Sequence, residues 1–256
     1  MSVAVAAAVS LFVAAGAWWA GALTRAGAAA AALVGTAILW GTGWAGGAVL
    51  GAFFVSGSVL GRLAQRRPSA SDARGEQRDP VQVLANGGPA GVFALLGMRH
   101  PELGLWIVTT SLAAATADTW ATAVGASSPN DPRDLLSRRP VPRGTSGGVS
   151  TRGSLGGVAG ALLVASVGAA LTGSPALLIA ATLIGVGGMF LDSLLGASLQ
   201  ARFRCMACGT ASERRRHGCG ATTTLIGGWR WLDNDGVNAV TTLAAALAGG
   251  LAWAAR

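Results

Sequence analysis

Two acidic residues of this chain lie in apolar surroundings where a charge is costly. Asp118 falls in the largely apolar run from Trp106 to Val124, within Ala117-Asp-Thr-Trp-Ala-Thr122. Asp192 falls in Phe190-Leu-Asp-Ser-Leu-Leu-Gly-Ala197. A carboxylate at membrane depth normally faces a bundle interior or an aqueous cavity and has a function there. As a pair the two suit Mg²⁺, which takes one or two carboxylates together with substrate phosphates. The competing reading pairs each acid with an arginine purely for packing. After Asp118 comes a glycine- and arginine-rich loop, Ser127 to Gly157, containing Arg143-Gly144-Thr145-Ser146-Gly147-Gly148-Val149-Ser150. Small residues let backbone N–H groups approach a phosphate, and arginine supplies forked donors. An ordinary flexible loop is the plainer alternative. The GxxxxGKS/T spacing of a P-loop is absent, so nucleotide binding of that type is not supported. Together the acids and the loop point to metal-assisted phosphate chemistry at a membrane surface, with Asp118, Asp192 and Arg143 as catalytic candidates.

Three asparagines and a cysteine cluster add to this set. Asn86 lies in Gln82-Val-Leu-Ala-Asn-Gly-Gly88, and Asn234 and Asn238 lie in Asp233-Asn-Asp-Gly-Val-Asn238. Each could cap a helix beside glycine. Asn234 and Asn238 are four residues apart and share a helix face, which favours a polar site. Cys205, Cys208, His217 and Cys219 have the spacing C-x₂-C-x₈-H-x-C. Four such ligands can close a tetrahedral, structural Zn²⁺ site; free thiols in a solvated loop are the alternative.

The elements that must position these residues are membrane helices. The chain of 256 residues is 52% hydrophobic and only 12% charged. Its mean hydropathy of +0.52 does not suit a soluble domain. Several apolar runs approach or exceed the length needed to cross a bilayer. The expected fold is all-α, a polytopic bundle of about eight helices in a single integral-membrane domain, residues 1–256. The helices fall at Val3–Leu23, Gly27–Trp40, Trp44–Leu63, Val81–Leu96, Leu103–Gly125, Leu155–Leu171, Pro175–Gln200 and Gly236–Ala255. Gly41-Thr-Gly43 separates the second from the third. The second and fourth are short, and so tilted or partly re-entrant. The first has no basic residue before its apolar core, so it reads as a transmembrane helix rather than a signal peptide. Trp18 and Trp19 suit interfacial anchors at its end.

Charge orients the bundle. Every basic residue other than the two histidines is arginine. The odd-numbered loops hold Arg25; Arg62, Arg66, Arg67, Arg74 and Arg78; Arg133, Arg138, Arg139, Arg143 and Arg152; and Arg202, Arg204, Arg214, Arg215, Arg216 and Arg230. The other side keeps only Arg99 and Arg256. The positive-inside rule places the odd loops in the cytoplasm and both termini outside a cell membrane. Topology and contact with anionic lipid account for a net charge of +8 without nucleic acid.

Five ordered motifs, Gln82-Val-Leu-Ala-Asn-Gly, Ala117-Asp-Thr-Trp-Ala-Thr, Val141-Pro-Arg-Gly-Thr-Ser-Gly-Gly-Val-Ser, Asp192-Ser-Leu-Leu-Gly-Ala and Asn234-Asp-Gly-Val-Asn238, resemble the integral-membrane family that contains plant phytyl-phosphate kinase. The resemblance covers most of the chain from Gln82 onward. It implies phosphorylation of a prenyl monophosphate to the diphosphate, with Mg²⁺ at Asp118 and Asp192. It adds Thr119 to a phosphate-binding set of Asn86, Gly144, Thr145, Ser146, Gly147, Gly148, Ser150, Asn234 and Asn238. A looser likeness to CTP-dependent phytol and dolichol kinases implies CTP as the donor. The chain departs from the family in having Ala123 where a Glu is often found after Asp-Thr-Trp. The cysteine cluster is not part of the family pattern. A transporter or flippase using the same acids for coupling is the alternative function. It would call for inverted repeats with polar broken helices in both halves, whereas the polar motifs here gather on one side.

Overall fold

The computed structural model describes residues 1–65 and 77–256. Arg66, Arg67 and Arg74 lie outside the described residues. Among the described residues seven α-helices run in the order α1 Val3–Trp19, α2 Arg25–Gln65, α3 Pro80–Ala94, α4 Pro101–Gly125, α5 Thr151–Thr172, α6 Pro175–Ser198 and α7 Asn234–Ala254. A 3₁₀ turn, Leu95–Met98, joins α3 to α4. Their starts follow from capping chemistry. The side chains of Ser2, Asp79, Ser150, Ser174 and Asp233 each accept a first-turn N–H. Asp79 and Gln82 form a reciprocal capping box. Proline opens α3, α4 and α6.

The expected break at Gly41-Thr-Gly43 is real. Within α2, Gly43 leaves helical geometry with φ 67° and ψ −158°. The two halves fold back on each other: a Cβ on Gly35 would lie 3.8 Å from Leu50. At the far end, Arg62 donates to the carbonyl of Ala20 at 2.6 Å, close to where α2 began. α2 is thus two antiparallel arms, and with it the bundle has the expected number of rods. α2, α3 with its 3₁₀ turn, α5, α6 and α7 are long and apolar enough to cross a membrane.

α4 is the pillar around which the others pack. Every residue from Gly104 to Ala117 is buried. Its hydroxyls are satisfied internally, as a core helix requires. Thr109, Thr110 and Thr116 donate to the carbonyls four residues back, and Ser111 donates to Thr242 of α7 at 3.0 Å. Glycines let α5 lie directly on α4. Gly153, Gly156 and Gly160 face Ala121, Val124 and Trp120, with room for no side chain.

Most helix boundaries lie within two residues of those read in sequence; α1 and α5 differ by four, and two loops carry strands. α1 stops at Trp19, because Gly21 takes φ 71° and turns the chain. α5 begins at Thr151 rather than Leu155, so Ser150 and Arg152 are a cap and a first-turn residue. The segment after α6 is not plain loop. It forms a three-stranded antiparallel sheet of β3 Arg202–Cys205, β4 Ala211–Ser212 and β5 Thr223–Gly227, with β3 central. The loop after α4 carries a two-residue ladder, β1 Arg133–Asp134 with β2 Gly148–Val149.

Candidate functional site

The two membrane-depth acids meet because of how α6 seats on α4. Gly185 faces Ala113, and Gly188 faces Ala114 so closely that a Cβ would lie 2.6 Å from the alanine Cβ. The two helices therefore run in the same direction in contact. Asp118 and Asp192 are each four residues past the Ala114–Gly188 contact, one turn further along the same faces. Asp192 feels the charge of Asp118 and that of Glu213. Asp192 Oδ2 is buried without a hydrogen-bond partner. Among the described residues no ion pair joins an arginine to either aspartate. Two neighbouring acids, one with an orphaned buried oxygen, are groups a hard divalent cation fits.

The glycine loop docks one turn further along α6. Gly147 is buried with φ 81°, and a Cβ there would lie 2.5 Å from the Ala197 nitrogen. Gly196, four residues after Asp192, is as tightly placed: its Cβ would meet the Gly147 nitrogen at 2.8 Å. The loop thus meets α6 one turn beyond Asp192. The sequence does not foresee how the loop is held. Glu213 accepts from the Ser146 N–H at 2.9 Å. The buried Gln200 donates to Ser146 Oγ at 2.8 Å and to Glu213 at 3.2 Å. The Thr145 N–H donates to Pro142 at 3.2 Å and the Gly148 N–H to Thr145 at 3.0 Å. The N–H groups of Thr145, Ser146 and Gly148 are therefore engaged, and the loop is not the open amide cradle its composition suggested. Gly144 and Gly147 hold the left-handed turns at φ 82° and 81°.

Several other expected residues have local partners. Arg143 turns to its own loop, donating to the Pro129 carbonyl at 3.2 Å and approaching Asp131 at 3.5 Å. Ser150 accepts from the Gly153 N–H at 3.1 Å as the cap of α5. Arg152 donates to the Ser127 carbonyl at 3.0 Å. Thr119, next to Asp118, donates back to Ala115 at 2.8 Å and keeps its acceptor lone pairs. Asn86 Nδ2 donates to Gln82 at 2.9 Å within α3. Asn234 is not the cap of α7; that role belongs to Asp233, which accepts from Gly236 at 3.0 Å. Asn238 is buried one turn before Thr242, whose hydroxyl donates to Ala85 of α3 at 2.8 Å.

Arg78 carries its guanidinium into the bundle. Its backbone pairs with Ala22 and Thr24 just before α3 begins. Its side chain lies over Phe53 and Phe54, 5.2 and 5.5 Å from the ring centroids. A Cβ on Gly57 would touch both Arg78 Nη2, at 2.7 Å, and Thr119 Cγ2, at 3.3 Å. Burial lowers its pKa to about 10, which still leaves it cationic at neutral pH.

On the same face of the bundle the four candidate zinc ligands converge. Their donor atoms all lie within 4.8 Å of one another. Cys205 Sγ is 3.6 Å and Cys208 Sγ 3.3 Å from Cys219 Sγ, and His217 Nδ1 is 3.7 Å from Cys208 Sγ and 3.1 Å from Cys219 Sγ.

Helices of this length around a polar pillar, with an acid pair at one end, define a multi-pass membrane protein with a polar site at one face. The chain belongs to the DUF92 integral membrane protein family, whose model matches residues 8–246. It is 31% identical over 175 residues to an uncharacterised membrane protein of Methanocaldococcus jannaschii, covering 68% of this chain and 74% of that one. It is 30% identical over 227 residues to Protein PGR of Arabidopsis thaliana, covering 77% of each. Protein VTE6, chloroplastic, of the same plant is 25% identical over 232 residues, covering 85% of this chain and 61% of that protein. No solved structure matches.

Proposed function

We propose that the chain is a prenyl monophosphate kinase, transferring a phosphoryl group from a nucleoside triphosphate to a lipid phosphate at the arginine-rich face. The observation that carries this reading is Asp192, whose Oδ2 is buried without a partner, facing Asp118 beside a docked glycine loop at the end of a membrane bundle. The resemblance of the five ordered motifs to the family that contains plant phytyl-phosphate kinase supports the substrate class, and the similarity to Protein VTE6 is consistent with it. An oxygen of the acceptor monophosphate attacks the γ-phosphorus, the bond from that phosphorus to the β-phosphate oxygen breaks, and a nucleoside diphosphate leaves. The acceptor is already an anion, so no strong base is needed.

The protein's part is positioning and charge. Asp118 and Asp192 are the residues that would hold Mg²⁺, which when bound neutralises phosphate charge. Gly147 keeps the loop against α6 at a fixed distance from both acids. Arg78, cationic beside Thr119, presents a fork to phosphate in a poorly hydrated setting. Purified protein given phytyl or geranylgeranyl monophosphate with CTP or ATP and Mg²⁺ should form the diphosphate, CTP being the expected donor. No product with any donor would remove the kinase reading and return the coupling role of a transporter or flippase.

Two further outcomes follow from it. Arg78→Gln should weaken use of the lipid phosphate by about 10–100-fold, as expected for loss of a charge-assisted hydrogen bond of about 1.5–3 kcal/mol. Arg78→Lys should recover only part, because the ammonium lacks the fork. Steady-state kinetics at varied lipid phosphate would read this; an unchanged KM and kcat would take Arg78 out of the site. Orientation is testable separately. A reporter fused after Arg256 should report the outer side of the membrane, and a cytoplasmic signal there would separate the acid pair from nucleotide.

A further inference from the structure

We propose that Cys205, Cys208, His217 and Cys219 bind one structural Zn²⁺, and that this ion holds Glu213 in place against the glycine loop. The ligand geometry comes first. A tetrahedral zinc with Zn–S of about 2.3 Å and Zn–N of about 2.0–2.1 Å requires ligand atoms about 3.5–3.8 Å apart. The measured separations of 3.1, 3.3, 3.6 and 3.7 Å fall close to that range. The first ligand pair has the tight turn that lets two cysteines share an ion. The Cys208 N–H points at Cys205 Sγ at 3.4 Å, and the Gly209 N–H closes the turn onto the Cys205 carbonyl at 2.9 Å. Gly209 takes φ 69°, a conformation that suits glycine. A disulfide would use two of the sulfurs and leave the third cysteine and the histidine converging for no reason.

The sheet also needs a staple. β4 has two residues and β3 has four. The buried side chains of the sheet are Phe203, Cys205 and Ser212, while Met206, Leu225 and Ile226 are exposed. So small a core does not hold three short strands by burial alone. An ion joining Cys205 and Cys208 at one end of the β3–β4 turn to His217 and Cys219 beyond β4 closes the loop that contains Glu213. That residue follows β4 directly and is the one that reaches Ser146 and Gln200. The zinc clamp thus sets the position of the carboxylate that holds Ser146 of the glycine loop. Zinc binding stands independently of the proposed kinase activity.

Untagged full-length protein, purified in detergent, should carry about one zinc per chain by mass-spectrometric metal analysis. Cobalt-exchanged protein should show the thiolate-to-metal absorption of a tetrahedral cysteine site. Cys208→Ser and Cys219→Ser should lose the metal, whereas Glu213→Gln should keep it. Hydrogen exchange at residues 144–149 and at Gln200 should speed up in zinc-depleted protein and in Glu213→Gln alike. If the cysteine variants fail to fold, the wild-type zinc and cobalt measurements still decide the site. Wild-type protein without zinc and with three reactive thiols, or with a disulfide, would overturn it. Zinc-bound protein whose loop exchange is indifferent to zinc removal would overturn the clamp.

Discussion

Asp192→Asn and Asp118→Asn should each lower phosphoryl transfer by about 10²–10³-fold, the scale of losses at electrostatic catalytic groups. Both variants should still insert and fold. Asp192 Oδ2 has no hydrogen-bond partner to lose, and an amide at membrane depth is less costly than a charge. The two carboxylates share one environment, so the double variant should be little worse than either single one. Turnover per folded molecule, measured after size-exclusion chromatography, separates this from a structural role. A purely structural acid predicts less folded protein with unchanged turnover. Folded Asp192→Asn protein turning over at the wild-type rate would end the metal role of the pair.

Gly147→Val should be nearly as damaging to turnover by a different route. At φ 81° a side chain adds about 1–2 kcal/mol of backbone strain. Its Cβ would also press on the Ala197 nitrogen at 2.5 Å, and overpacking of that kind costs about 1–3 kcal/mol. A stable bundle can absorb that, and it does so by letting the loop leave α6. The Ser146 bonds to Glu213 and Gln200 then go with it. Gly173→Val is the control. It has φ 65° and nothing within 4 Å of its Cβ, so it carries the strain without the collision. Turnover should collapse in the first variant and persist in the second. Equal activity in both would show that contact of the loop with α6 is dispensable.

Much of this arrangement was legible because membrane helices declare themselves in runs. The acids stood out because carboxylates are rare in apolar stretches, and Gly41-Thr-Gly43 marked the reversal inside α2. The cysteine spacing announced a four-ligand cluster. What escaped notice was set by tertiary contact. Glu213 sits next to Arg214, Arg215 and Arg216 and reads as a solvated charge run; only the fold of the sheet carries it to Ser146. Arg78 looks like one more topological arginine, and its burial depends on Phe53, Phe54 and Gly57 from elsewhere in the chain. The sequence reading keeps Ser150 and Arg152 in the loop before a helix at Leu155, whereas α5 begins at Thr151 and runs through Gly153, Gly156 and Gly157. Against α4 those same glycines permit close approach, and packing outweighs propensity.

The turns on the face away from the site are short. The chain reverses at Gly43, at Arg99–His100 and at Gly173–Ser174. Of the ionisable side chains there, Glu102 and Arg256 are bonded to each other. On the orientation that the arginines predict, each helical pair would enter the bilayer as a closed hairpin carrying little hydrophilic peptide across, and the arginine-bearing segments would stay on the side on which they are made. The asymmetry that gathers the acid pair, the glycine loop and the cysteine cluster on one face would then also bias insertion toward one orientation.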